Sequence, residues 1–288
     1  MELVSAIITT HNRKNLLMEA IKSVQQQTYS NIELIVVDDA SDDGTKELCE
    51  NKNFKYIYIS KLESHGGNHA RNIGILNARG TYIAFLDDDD RWLPQKIEKQ
   101  VALMKRGDYE LVHCGKFVEN IDINGKKSVK ELLPSPLDGG NVSKRILYRI
   151  CCTTTNILVK REALLDIGMF DENIRFWQEY ELCIRLAQRK PFAYVNEALS
   201  IYRVDRTDNK RLTNKYYEWK SAVRQIYTKH SKLYQKLKFI ERLHVHTLYF
   251  FDAAYRCKNA GIMTLAIFNY AQYMTIYLLL KILDPQNT

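Results

Sequence analysis

Four consecutive aspartates, Asp87 to Asp90, follow the apolar run Tyr82-Ile83-Ala84-Phe85-Leu86. Adjacent carboxylates repel, so such a run either fans out into water or meets a cation. Hard cations such as Mg²⁺ and Mn²⁺ take oxygen ligands and complete their shell with substrate phosphates. The plainer reading is an acidic loop that favours the start of the next helix. Asp38 and Asp39 close a second apolar run, ahead of Ala40-Ser41-Asp42-Asp43-Gly44-Thr45. Asp42 and Asp43 suit a turn and a helix cap. Asp38 and Asp39 are expected inside a crevice, where a carboxylate can accept the N3–H of a uracil ring. The stretch His65-Gly66-Gly67-Asn68-His69-Ala70-Arg71-Asn72 reads as a glycine turn entering a helix. Helix N-termini favour anions, and Arg71 lies one turn inside. Trp177-Gln178-Glu179-Tyr180-Glu181 opens another helix. One of its carboxylates can act as general base and the other as cap; spacing alone favours the cap.

The elements that must carry these residues alternate. Strands are expected at Val4–Thr10, Ile32–Val37, Phe54–Ile59, Thr81–Leu86 and Tyr109–Cys114. Helices are expected at Asn15–Gln27, Thr45–Asn51, Asn68–Ala78 and Pro94–Met104. That order predicts an α/β fold with an open, mostly parallel sheet flanked by helices. Ligands of such sheets sit beyond the carboxyl ends of the strands. Thr9-Thr10-His11-Asn12, Asp38-Asp39 and Asp87 to Asp90 all fall at those ends.

After Gly115 the pattern changes. Ile123-Asn124-Gly125-Lys126 suits a hairpin turn. Leu133–Asn141 reads as a mobile loop rich in Pro and Gly. A strand at Thr155–Val159, a helix at Lys160–Ile167 capped by Gly168, a helix at Gln178–Gln188, and short strands at Phe192–Val195 and Leu199–Arg203 follow. From Leu212 onward the pattern is helical, punctuated by Gly261. Ile262–Leu283 is long and apolar, and a spanning helix needs about 20 such residues. Asn269, Gln272 and several tyrosines interrupt it, which favours a packed or surface-lying helix over a span.

The 288 residues carry a net charge of +8, unevenly placed. Residues 203–258 hold 14 Lys and Arg against 5 Asp and Glu. A basic helical tail suits an anionic neighbour, such as a membrane surface or a phosphate-bearing acceptor, or is simply a solvated face. The start, MELVSAIITTHNR, lacks the basic, then apolar, order of a signal peptide. None of the six cysteines forms a CxxC pair, so a zinc site is not expected. A reduced, cytosolic chain is the expectation.

The stretches AIITTHNR, SVQQQTYSNIELIVVDDASDDGT, GGNHARNIGI, GTYIAFLDDDDRWLP and LLDIGMFDENIRFWQEYELCIRL, in that order, resemble family 2 of the inverting nucleotide-sugar glycosyltransferases, which have the GT-A fold. They cover roughly the first two-thirds of the chain. The resemblance implies a catalytic domain over residues 1–210, with a nucleotide-binding half at 1–115 and an acceptor half at 116–210. Residues 211–288 would be a basic helical extension that docks on a membrane or pairs with a second copy. The resemblance implies that Thr9, His11 and Asp39 line the base pocket, with Asp39 on the uracil N3. Arg71 would contact the nucleotide. Asp89 would bind Mn²⁺ or Mg²⁺, and Asp87 would hold the ribose or the metal shell. Asp88 or Asp90 would face the donor sugar, and Glu179 would be the base.

Three positions depart from the family pattern. His11 replaces a common aromatic, the usual Glu-Asp pair reads Gln178-Glu179, and Tyr202-Arg203-Val204-Asp205 ends without the usual histidine. The implied activity moves a hexosyl unit from a UDP-sugar to a glycan or lipid-linked saccharide, with no nucleic-acid partner. Two rivals compete with it. A non-catalytic nucleotide-sugar-binding subunit would tolerate the three departures. A nucleotidyltransferase would need a glycine-rich loop after the first strand, where this chain has Thr9-Thr10-His11-Asn12-Arg13.

Overall fold

The computed structural model describes residues 1–50, 52–208 and 214–287. Apolar runs suit strands covered on both faces, and three of these with a more exposed edge strand, Lys55–Ile59, make the parallel half of the sheet. These are β1 (Val4–Thr10), β2 (Ile32–Asp39), β3 (Lys55–Ile59) and β4 (Tyr82–Asp87), in the order β3-β2-β1-β4. Helices α1 (Lys14–Gln25), α2 (Thr45–Cys49) and α3 (Gly67–Asn77) lie between them in sequence. The chain leaves β1 to one side for β2 and returns to the other side for β4. That reversal opens a crevice at the carboxyl ends of β1 and its neighbours. The register sets Thr9 beside Asp87 and Thr10 beside Asp38. At Gly74 of α3 an added Cβ would lie 2.5 Å from Ile7 Cγ2, so the missing side chain lets α3 sit close on β1.

The sheet continues as β4-β8-β6-β9-β5, with β7 on β6. Here β5 is Arg91–Trp92, β6 Leu111–Ile121, β7 Lys127–Leu132, β8 Leu158–Lys160 and β9 Phe192–Asp205. Strand β8 is antiparallel to β4 and β6, while β6 and β9 are parallel. Helices α4 (Lys96–Met104), α5 (Arg161–Asp166) and α6 (Gln178–Ala187) accompany them. The fold is thus α/β, with antiparallel strands entering only in its second half.

Four local expectations are corrected. The fifth strand runs past Cys114 to Ile121 and forms a hairpin with β7. Its register shifts at Gly115, where a Cβ would lie 2.7 Å from the Leu132 carbonyl. Thr155–Val159 is not one strand but a 3-10 turn, Thr154–Asn156, followed by β8. The two short strands at Phe192–Val195 and Leu199–Arg203 are one 14-residue strand, β9. Leu133–Asn141 is pinned rather than loose: Ser135 caps a 3-10 turn, and the buried Asp138 pairs with Arg149 at 2.5 Å. The expected helix ends at Asn51 and Leu212 lie outside the described residues.

The C-terminal part is α7 (Tyr216–Lys229), α8 (Ser231–Gln235), α9 (Phe239–Asn259) and α10 (Met263–Leu283). Trp219 of α7 is wholly buried between Trp177, edge-on, and Tyr249, stacked. Glu181 of α6 meets Arg185 at 2.6 Å, Lys229 at 2.9 Å and His230 at 3.0 Å. The extension is therefore fastened to the helix that carries Glu179.

Candidate active site

The carboxyl ends of β1, β2 and β4 border a cavity of about 870 Å³. Its wall holds Thr9, His11, Asp39, Arg71, Asp87, Asp88 and Asp89. Glu179 is outside that wall but is electrostatically coupled to Asp87 and Arg71.

The base end is built from two interlocked turns. Asn12 and Ala40, just past β1 and β2, take left-handed φ values of +54° and +62°. Such residues cost of order 1–3 kcal/mol each and persist only where neighbours hold them. Here the Asn12 N–H donates to Ser41 Oγ at 2.8 Å, and the Asp42 N–H donates to Asn12 Oδ1 at 2.8 Å. The His11 Nδ1–H donates to the Asp39 carbonyl at 2.6 Å. The side chain of Asp39 is different: its Oδ1 is buried and accepts no hydrogen bond. A buried acceptor without a donor is uncommon and costly. Asp38 does not share the crevice as expected. It is wholly buried and accepts from the Ser41 N–H at 3.0 Å and the Tyr56 hydroxyl at 2.7 Å.

The aspartate run divides into separate jobs. Asp87 accepts from Arg71 at 2.7 Å, and Asp89 from Arg13 at 3.0 Å. Asp88 accepts from Thr10 at 2.8 Å and Arg13 at 3.2 Å. Burial, helped by Asp89 and opposed by Arg13, pushes the Asp88 carboxyl up to about 6. Asp90 is not a candidate sugar contact. It is wholly buried, accepts from Thr155 at 2.5 Å and from the Arg203 N–H at 2.9 Å, and is pushed well up by burial and by Asp89 and Asp87. It ties β4 to β9.

Glu179 lies in the first turn of α6, which Trp177 enters at φ +54°. Tyr180 and Trp219 pack edge-on against Trp177 and hold that backbone. At this helix start the Glu179 carboxylate accepts from its own backbone N–H, a cap-type contact, while the Trp177 side chain makes none. Burial raises the Glu179 carboxyl above the ordinary glutamate value; Asp87 adds to this, and Arg71 and Lys116 oppose it. Arg71 also donates to Gln178 at 2.8 Å, so one guanidinium joins the end of β4 to the start of α6.

Among the wall residues, Arg13 carried no signal on its own. It bridges Asp88 and Asp89, and reaches Asp208 at 3.4 Å. Tyr202, Arg203 and Asp205, from the stretch already noted as departing from the family pattern, reach the wall on the end of β9. Lys116 of β6 sits 4.6 Å from the Tyr202 ring, with burial drawing its ammonium down and Asp90 and Glu179 opposing.

The described residues hold no group of three or more His, Cys, Asp or Glu placed for a metal. Asp87 and Asp89 do give two carboxylate donors on one wall. Divalent Mg²⁺ or Mn²⁺ takes one or two carboxylates plus substrate phosphates, so this donor set fits a site that a diphosphate would complete.

The profile of one family, glycosyl transferase family 2, matches residues 5–168. The chain belongs to glycosyl transferase family 2. It is 34% identical over 218 residues to an uncharacterised glycosyltransferase of Rickettsia conorii, covering 74% of this chain and 35% of that one. The chain thus spans about a third of the length of the first curated relatives it matches. Over a fuller length it is 32% identical to TuaG of Bacillus subtilis, a glycosyltransferase named for teichuronic acid biosynthesis, covering 84% and 90% of the two chains. A Campylobacter jejuni glucosyltransferase, named for a diphosphoundecaprenol-linked glycan, is 32% identical over 72% of this chain and 66% of that one. Among solved structures, a Pyrobaculum calidifontis mannosyltransferase in complex with GDP-Man and Mn²⁺ aligns with a TM-score of 0.63 at 16% identity, over 97% and 80% of the chains. Staphylococcus aureus TarS in complex with UDP aligns with a TM-score of 0.56 at 16% identity, over 96% and 89%. These two likenesses show the GT-A fold.

Proposed function

We propose that the chain transfers a hexosyl unit from a UDP-sugar, with inversion, to a hydroxyl of a glycan or lipid-linked saccharide. The observation that carries this reading is one cavity wall that holds the carboxylates of Asp39, Asp87 and Asp89 with Arg13 and Arg71. The Asp39 carboxylate accepts the uracil N3–H, with Thr9 and His11 beside the base. Arg71 and Arg13 lie where a diphosphate would sit. Asp87 and Asp89 would hold Mn²⁺ or Mg²⁺, whose charge, when bound, stabilises the leaving diphosphate. Asp88, on the same wall, accepts from Thr10 and Arg13 and would face the donor sugar.

Glu179 removes the proton from the acceptor hydroxyl. The oxygen attacks the anomeric carbon from the side opposite the diphosphate, the C–O bond to the diphosphate breaks, and its electrons leave with UDP. One displacement inverts the centre. The raised carboxyl of Glu179 suits a base, which must hold a proton well enough to take one. Residues 1–210 serve as the catalytic unit and 211–288 as the extension. The TarS complex supports uridine, and the diphosphoundecaprenol-linked relative supports a lipid-linked acceptor beside the cytoplasmic face of a membrane.

The test is nucleotide release from a panel of UDP- and GDP-sugars, with and without Mn²⁺. Metal-dependent UDP release, lost in Asp89→Ala, is expected. In Glu179→Gln, transfer falls about 10²–10⁴-fold while donor binding persists. GDP release alone, or wild-type transfer by Glu179→Gln, overturns the assignment.

A further inference from the structure

Helix α10 holds no aspartate or glutamate, and Lys281 is its one cation. Only Ala266, Asn269 and Leu280 of its 21 residues are buried. Met263, Ile267, Leu278 and Ile282 fall on one face by helical spacing, and they are 53%, 66%, 55% and 79% exposed. Phe268 and Leu279 widen that face. The result is an apolar strip about 30 Å long, larger than a monomer ordinarily leaves in water.

Two occupants compete, and charge decides between them. Residues 216–283 hold ten Lys and Arg against three Asp and Glu. Lys232, Lys236, Lys238, Arg242, Lys258 and Lys281 are all exposed. A second copy would bring the same excess of positive charge against the first. An anionic lipid surface complements it. Lys258, before the turn into α10, and Lys281, near its end, flank the strip where long side chains can reach headgroups while their stems stay apolar.

The helix is long and apolar enough to cross a membrane by composition. Its packing opposes that. Asn269 is buried and donates to Leu265 O and Cys257 Sγ, which ties α10 to α9. Helix α9 carries Arg242, Asp252, Arg256 and Lys258, and charged side chains do not follow into hydrocarbon cheaply. We propose that α10 lies along an anionic phospholipid surface, its Met263–Ile267–Leu278–Ile282 face in the headgroup layer and Lys258 and Lys281 at its ends.

The test is co-sedimentation of the full chain with vesicles of phosphatidylcholine alone, or mixed with phosphatidylglycerol. Binding to the anionic vesicles is expected, weakened by salt as screening shortens. Lys258→Gln and Lys281→Gln should each weaken it about fivefold. The pair Ile267→Asp and Ile282→Asp should weaken it about 100-fold with the thermal midpoint unchanged, because both side chains are exposed. Equal binding to neutral vesicles, or full binding by the double aspartate variant, overturns the proposal. So does a solution dimer that this variant dissociates without any vesicle binding by the wild type. No donor or acceptor enters this assay, so its failure is separate from failure of the sugar-transfer reading.

Discussion

Replacing Asp39 by alanine should weaken ligand binding and leave the free protein no less stable. In the free protein, Asp39 Oδ1 is buried without a donor. Leaving such an acceptor unsatisfied costs about 1–3 kcal/mol, so Asp39→Ala removes a penalty of that order. The turn survives, because His11 is held by the Asp39 carbonyl and not by its side chain. In the complex, a hydrogen bond from the uracil N3–H to a carboxylate is worth about 1.5–3 kcal/mol. UDP should therefore bind about 10–100-fold more weakly. Cytosine N3 is an acceptor that a carboxylate repels, so CDP should bind the variant at least as well as the wild type. Titration calorimetry gives both affinities, and scanning calorimetry gives the melting temperature. Unchanged UDP affinity refutes the assignment. Equal losses for UDP and CDP, or a fall of several degrees in melting temperature, would make Asp39 a structural residue instead.

Other expectations follow from the same contacts. Glu179 must be charged to act as base, so the transfer rate should fall as pH drops through its raised value; Lys116→Met removes an opposing cation, and the acidic limb of the pH–rate profile should move to higher pH. Burial pushes the Glu181 carboxyl up, but His230, Arg185 and Lys229 outweigh it and hold the carboxyl down at about 2. That adds about 3 kcal/mol of stability above the ordinary glutamate range, lost as pH falls from about 4.5 to about 2; urea unfolding against pH should show this loss in the wild type and not in Glu181→Gln. Gly74→Ala places a Cβ against Ile7 and should cost about 1–3 kcal/mol in the same urea assay.

The parallel half of the fold was legible because β1, β2 and β4 are largely apolar runs that each end in polar residues at one edge of the sheet. Periodicity alone does not say that β8 enters between β4 and β6, since that pairing joins residues far apart in sequence. It also breaks at β9, where Asn196 and Glu197 interrupt the apolar pattern and the strand continues past them. The same limit explains Arg13 and Asp90. An arginine after a strand carries no pattern of its own; its role comes from Asp88 and Asp89, some 75 residues away. Asp90 looks like its three neighbours in sequence, yet Thr155 and the Arg203 N–H turn it inward, and both partners belong to the half with the weaker pattern.

The proposed boundary at residue 210 does not divide the core. Trp219, Val223, Ile226, Val245 and Cys257 belong to the same buried cluster as Ile7, Phe85 and Tyr180. Helix α6 carries Glu179, and two residues on Glu181 reaches Lys229 and His230. Cutting the chain at 210 would strip the cover from Trp177, whose left-handed backbone starts that helix, and leave Glu181 with Arg185 alone. Losing Lys229 and His230 would remove part of the about 3 kcal/mol that the Glu181 contacts contribute, against the roughly 5–15 kcal/mol by which a domain is stable. The extension therefore packs on the helix that carries Glu179, the base proposed above. The truncated chain should lose transfer to a soluble acceptor, with a lowered melting temperature. If it transferred normally to such an acceptor and melted as the full chain does, the extension would be a docking device and nothing else.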